Sequence, residues 1–383
     1  MKMFAKTSLA EFLGDRVVYR NLEPADERLP GLKSLNTPGD LEATHIPRKT
    51  EPEYSRVVIQ ILKEAQVQRG VSNEINRLIY LGDTRLLDGT AFSNLCIAAD
   101  WPGLAFIGAE NSQAEKIDIL SQAPGQTVYL ANRWAALCTF TDFAAHNGFP
   151  VDESTVVVID IDKTALGGRG RNSQVIDQAR LLAVQDTVAG LLGDSFDPAA
   201  FKVAYDTLNQ PKFHPFTTDN QDYLAYTCLM LGSSLFNFGQ VVNEITSGKL
   251  VSFNQFIDEV NAQKKSLPSD LAEIHNEIYA YVRAGDPTPF KLFRRNEYLR
   301  TIGCFGSLPD TAPVEEMVEK EILITEEVRQ AALAWKSQGA LLFGLSDKPD
   351  EAATPTTELA ATGCQPIHRA STHSVGETIP KPL

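Results

Sequence analysis

The chain has 383 residues, 43% of them hydrophobic, and a formal net charge of -14, enough for two domains or slightly more with sizeable cores. That acidity argues against a nucleic-acid duplex as partner, because duplex binders usually carry a basic face. A small phosphorylated substrate stays open, since a bound cation and one lysine can reverse the field inside a cleft. No apolar run is long enough for a membrane span, Met1–Lys6 lacks the apolar stretch of a signal peptide, and a cytoplasmic location is expected. The cysteines, Cys96, Cys138, Cys228, Cys304 and Cys364, are odd in number and scattered, which predicts reduced core thiols.

In chain order, the first patterned element is the amphipathic stretch Val57 to Ala65, opened by Arg48-Lys49-Thr50-Glu51-Pro52-Glu53. A basic residue near a helix start is in itself unremarkable. Leu78-Ile79-Tyr80-Leu81 reads as a buried strand running into acids, Gly82-Asp83 and then Asp88. An ordinary strand-end turn is the plain alternative for Gly82-Asp83. Gly89-Thr90-Ala91-Phe92 leads into a helix, and Leu104 to Gly108 reads as the next strand.

Val156 to Ile159 is a continuous β-branched run of the kind buried in parallel sheets. It stops in Asp160-Ile161-Asp162-Lys163-Thr164, at the C-terminal end where open α/β sheets bind ligands. Alternate strand residues share a face, so Asp160 and Asp162 can point into one cleft, one as nucleophile or metal ligand and the other as proton donor. A helix cap at Asp162 or Thr164 is the competing reading.

From Leu166 to Lys320 the texture changes. Apolar residues recur at helical spacing in Val175 to Leu192, Pro198 to Leu208, Phe253 to Ala262, Leu271 to Val282 and Phe290 to Ile302, which predicts an all-helical second domain. Leu166-Gly167-Gly168-Arg169-Gly170-Arg171-Asn172 does not match a phosphate-binding loop and reads as a flexible turn. Arg294-Arg295 read as a solvated helix face, and His214, His368 and His373, lacking metal-ligand spacing, as loop or surface residues. A helical Thr325 to Lys336 then precedes the apolar run Ala340 to Leu345, which ends at Ser346-Asp347-Lys348-Pro349. Ser346 could equally cap a helix. Farther on, Gln365 to Ala370 reads as one more strand, and the last residues as disordered.

These residues together resemble the motifs of the haloacid dehalogenase (HAD) superfamily, most of whose members are magnesium-dependent phosphohydrolases. Asp160-x-Asp162-x-Thr164 after its apolar strand resembles motif I, and the strand ending at Ser346 resembles motif II. Lys49 is the best match to the motif III lysine, with Arg48 and Lys348 as rivals, and Gly82-Asp83 with Asp88 resembles the acidic motif IV. Their order along the chain is III, IV, I, II, which looks like a circular permutation; two Rossmann-like halves, one degenerate, are the rival account. Permutation is physically easy because domain termini often lie close together at the surface.

The resemblance implies an α/β, HAD-like Rossmannoid core with a parallel sheet, built from residues 1–165 and 321–383, with 166–320 as an all-α cap. The strands ending at Asp83, Asp160 and Ser346 should share one parallel sheet with the Asp160 strand in the middle. Asp160 is then the nucleophile that forms an aspartyl phosphate, and Asp162 the acid and base. Mg2+ is held by Asp160, Asp83 and the main-chain carbonyl of Asp162, with Asp88 ligating through water or orienting Asp83. Ser346 and Lys49 hold the phosphoryl oxygens. Asp162 favours a phosphate ester over a halide, since a leaving halide needs no proton. A phosphotransferase or phosphomutase, or a catalytically silent binding protein, are the alternatives, and the substrate and the oligomeric state stay open.

Overall fold

A computed structural model describes residues 1–35 and 46–378; the expected disorder of the last residues concerns positions largely outside them. The strands are β1 (Lys2–Thr7), β2 (Val17–Val18), β3 (Arg77–Gly82), β4 (Gly103–Gly108), β5 (Ile117–Ala123), β6 (Gln126–Ala131), β7 (Thr155–Asp160), β8 (Ile324–Thr325), β9 (Leu341–Leu345) and β10 (Thr372–Gly376). The chain divides into two compact units. One is built from the N-terminal segment, Ile46–Gln178 and the segment from Thr301 onward, the other from Ala179–Arg300. No helix among the described residues is long and apolar enough to cross a membrane.

The first unit is an α/β fold around a seven-stranded sheet of order β2-β9-β7-β3-β4-β6-β5. All neighbours are parallel except the β5–β6 hairpin at one edge. Successive side chains of a strand face opposite ways, and each face finds helices. Leu78, Tyr80, Val156, Val158, Leu341 and Phe343 share a core with residues of helices Pro52–Gln68 and Leu87–Ala99. On the opposite face Phe106 packs on Trp134 and on Phe140, and Phe140 on Trp335, which engages helices Leu137–His146 and Glu326–Ser337. With both faces covered, β7 needs an uninterrupted apolar run, and all six of its residues are buried.

A second, three-stranded sheet of order β1-β10-β8 belongs to the same unit. It corrects two expectations. Gln365 to Ala370 forms turns, and the strand is Thr372–Gly376. Its polar sequence conceals it, because the buried polar side chains are satisfied by distant partners: Thr372 Oγ1 donates to the Ile322 carbonyl (2.7 Å), and Ser374 to Glu326. His373 and His368 are buried, not surface residues. His373 lies between Glu321 (2.6 Å) and Asp310 (3.1 Å), His368 between Tyr19 (2.8 Å) and Asp15 (3.1 Å).

The second unit is helical, as expected, but narrower than 166–320. Leu166 to Gln178 and the helix Val314–Lys320 belong to the first unit, tied there by contacts such as Gly167 N–H to the Leu323 carbonyl (2.8 Å). Helix Pro198–Leu208 starts where the sequence puts a proline behind an acid: Asp197 accepts from the amides of Ala199 and Ala200, and Pro198 occupies a first-turn site that needs no donor. Its partners include Gln221–Gly232, Phe253–Gln263 and Ser269–Arg283, whose Leu229, Phe256, Ile257 and Ile278 share one core with Phe201 and Leu208. Arg294 is no solvated residue: it is buried and paired with Asp222 and Glu297, so charge neutralisation inside the core, which linear sequence cannot display, overrides its polarity. Arg295 does remain exposed. All five cysteines are free thiols, two of them buried.

Candidate active site

Strand β7 lies between β3 and β9, parallel to both. The register sets Leu81 opposite Ile159 and Asp160 opposite Leu345, so Asp83, Asp160 and Ser346 leave their strands at nearly the same level. They emerge at the C-terminal edge, where peptide groups no longer pair within the sheet and polar side chains can converge.

Asp88, in the first turn of helix Leu87–Ala99, folds back on the β3 end. Its Oδ2 accepts from the amides of Asp83 (3.0 Å) and Thr84 (2.8 Å) and from the Thr84 hydroxyl (2.8 Å). Glycine at 82 makes this possible, since a Cβ there would lie 2.5 Å from the Asp88 Cβ. The other oxygen, Oδ1, accepts from Tyr80 Oη (3.0 Å) and Lys49 Nζ (2.7 Å). Lys49 also donates to Asp160 Oδ1 at 2.5 Å, and Thr164 Oγ1 donates to Asp160 Oδ2 at 2.9 Å. Lys49 is brought in by the segment before helix Pro52–Gln68. Arg20 holds that segment by donating to the Pro47 (2.7 Å) and Ile46 (3.1 Å) carbonyls, and Asn94 by donating to that of Thr50 (2.9 Å). The lysine side chain is 4% exposed, whereas Arg48 faces solvent. Lys348, the other rival, is buried on the β9 side, where its amide donates to Ser346 Oγ (3.0 Å).

Among the described residues, Asp83, Asp88 and Asp160 each offer an oxygen within 4.8 Å of the others. Three buried acids against one buried lysine leave an excess of negative charge, and the titration behaviour follows. Burial, opposed by Lys49 and reinforced by Asp88 and Asp83, holds the Asp160 carboxyl well above the usual carboxylate range. Burial and then Asp88 push Asp83 up to about 7, against the pull of Arg169. Asp88 goes the other way: burial opposes its charge, but Lys49 and its hydrogen bonds hold it low. Burial likewise opposes the charge on Lys49, yet Asp160 and Asp88 keep the ammonium protonated.

On the other side of Asp160, Ser346 Oγ donates to Asp162 Oδ2 at 2.6 Å. Asp162 is half-buried in the turn after β7, next to Lys163, whose φ of +64° is left-handed. All six sequence-predicted residues, Lys49, Asp83, Asp88, Asp160, Asp162 and Ser346, therefore lie on one sheet edge. Lys49, Asp88, Asp160 and Asp83 form one cluster, and Asp162 pairs with Ser346.

Two contributors were missed by sequence reasoning. Arg20 sits in a stretch without a periodic pattern. Arg169 forms an ion pair with Asp83 from a segment expected to be a flexible turn. That segment is fixed: Arg169 N–H donates to the Lys163 carbonyl (2.7 Å), and Arg171 is buried between Glu327 (2.8 Å) and Glu110 (2.6 Å). Glycine richness suggested mobility, but here the glycines permit close approach: Gly170 has φ +76°, and a Cβ on it would lie 1.9 Å from the Glu110 carbonyl oxygen. Comparison with family models, with curated proteins and with solved structures returns no match for this chain.

Proposed function

We propose that this protein is a magnesium-dependent phosphohydrolase acting on a small phosphate monoester, with a HAD-like core in permuted order and Asp160 as nucleophile. The observation that carries the reading is the buried Lys49 ammonium held between Asp160 and Asp88, beside Asp83, at the C-terminal ends of parallel strands. A carboxylate is thereby oriented by a fixed cation, with a second carboxylate close enough to share a metal.

The donor set fits a hard divalent ion. Asp83 and Asp160 are oxygen donors whose raised pKa values come first from burial and then from the neighbouring acids, a cost that a bound cation would relieve. Asp88 fits less well as a direct ligand, because its Oδ2 already accepts three hydrogen bonds and its Oδ1 two, where each carboxylate oxygen of Asp160 accepts one, and it serves to orient Asp83 and Lys49. Asp83, Asp160 and the Asp162 main-chain carbonyl would hold the ion. Bound there, the ion would let both carboxylates ionise together and offset charge on a phosphoryl oxygen.

The chain's own residues do the rest. Asp160, its two oxygens aligned by Lys49 and Thr164, attacks phosphorus in line; the bond to the leaving oxygen breaks as the aspartyl phosphate forms. Asp162 gives a proton to the leaving oxygen, then takes one from the water that cleaves the aspartyl phosphate and frees Asp160. Ser346, by turning its one hydroxyl proton from Asp162 to the substrate, and Lys49 hold the phosphoryl oxygens.

The test is phosphate release from a panel of phosphorylated metabolites. Release is expected with Mg2+ and lost in excess chelator, and a folded Asp160→Asn protein should release none. Undiminished release in chelator, or near-normal release by Asp160→Asn, overturns the reading; phosphoryl passage to an acceptor without free phosphate would make it a transferase.

A further inference from the structure

We propose that Arg169 is a substrate-binding switch: it pairs with Asp83 and, displaced from it by a divalent cation, turns its guanidinium onto the phosphoryl group. This rests on the phosphohydrolase reading and adds a residue that no motif assigned.

The backbone of Arg169 is pinned at the site edge. Its N–H donates to the Lys163 carbonyl (2.7 Å), and its own carbonyl accepts from the Glu110 amide (2.9 Å) and from Trp134 Nε1 (3.3 Å). Glycines on both sides let it fit so tightly: a Cβ on Gly168 would lie 2.9 Å from Thr325 Oγ1, and Gly170 lies against Glu110. The next arginine, two residues on, is buried with a side chain 3% exposed and saturated by Glu110 and Glu327, a structural clamp. Arg169 is the opposite case, with a side chain 39% exposed and an ion pair to Asp83.

A fixed Cα with a half-exposed guanidinium leaves the side chain as the part that can move. Asp83 is buried, with a side chain 7% exposed, so the pair opens from the half-exposed arginine side, and a divalent ion, with twice the charge, competes for the same Asp83 oxygens. Once released, the planar fork can hold two phosphoryl oxygens at once, a geometry lysine cannot reproduce.

Opposite effects on two ligands test this. Mg2+ alone is titrated by its shift of melting temperature, and inorganic phosphate is then titrated with Mg2+ present. Arg169→Gln should bind Mg2+ about threefold more tightly or better, since a half-exposed competing cation is gone from a buried carboxylate. It should bind phosphate about tenfold more weakly, since charge-assisted hydrogen bonds are lost. Arg169→Lys keeps the charge, so wild-type Mg2+ affinity with weakened phosphate binding is expected, and this variant decides alone if Arg169→Gln fails to fold. Unchanged Mg2+ affinity in Arg169→Gln, weakening of both ligands, or wild-type phosphate affinity in Arg169→Lys overturns the proposal. No Mg2+ response in the wild type overturns the phosphohydrolase reading itself, a distinguishable failure.

Discussion

Lys49→Met is the sharpest perturbation of the candidate site, because it deletes one charge and little volume. Lys49 is 4% exposed and contacts Asp88 at 2.7 Å and Asp160 at 2.5 Å. Removing one member of a buried ionic cluster strands the others, a cost of about 3–5 kcal/mol. With about 2–4 °C per kcal/mol for a domain of this size, the melting temperature should fall by roughly 10 °C. The sign of the pH dependence is fixed by the stranded acids. Asp160, whose folded-state pKa is already raised by burial, loses the cation that opposes that rise. Its contribution to stability is therefore fully present below the unfolded carboxylate value and is lost as pH rises through the folded one, while Asp88 loses the cation that holds it low. The variant should therefore be least impaired in acid. Adding Asp160→Asn removes one stranded charge and should restore part of the stability, a non-additivity read from a double-mutant cycle of thermal melts. A fall of less than about 2 °C with strict additivity would refute the claim that Lys49 compensates these acids.

Asp162→Asn should spare activated phosphate esters more than alkyl esters, since good leaving groups need little protonation; equal losses in phosphate release would argue against its acid role. In the helical unit, His275 is fully buried, with Nδ1 against Tyr226 Oη (2.6 Å) and Nε2 against Asn261 Oδ1 (3.3 Å), an arrangement that suits the neutral ring. Burial and then Lys264 push its pKa down to about 4. Its contribution is present above the unfolded histidine value of about 6.5 and lost as pH falls through about 4, and a His275→Gln protein should lack that acid limb in pH-dependent melts. Gly170→Ala should destabilise by about 1–3 kcal/mol from its left-handed φ alone and loosen the Arg169 segment, measurable as faster amide exchange over 166–172.

What the sequence determined by itself is local. The apolar runs at Leu78, Val156 and Leu341 could become only buried strands, because β-branched and aliphatic side chains without polar alternation have to be covered on both faces, and all three are central strands of the sheet. Polar residues placed directly after such runs must fall at the sheet's C-terminal edge, which is why Asp83, Asp160 and Ser346 were legible as candidates. The helical periods of the second unit were legible for the same reason, since a 3.6-residue apolar stripe is a local pattern. Tertiary structure decided what depends on distant partners. The two-residue strand β2 and the polar strand β10 carry too little pattern of their own and exist through pairing with β9, and with β1 and β8. Arg294, His368 and His373 looked like surface groups because the sequence gives polarity but not the acids that neutralise it. Choosing Lys49 over Arg48 required knowing which of two adjacent cations is buried against Asp88 and Asp160, and finding Arg169 required a loop fixed by hydrogen bonds to Lys163, Glu110 and Trp134. Charge compensation is a property of three-dimensional proximity, and a linear sequence records the charges without their distances.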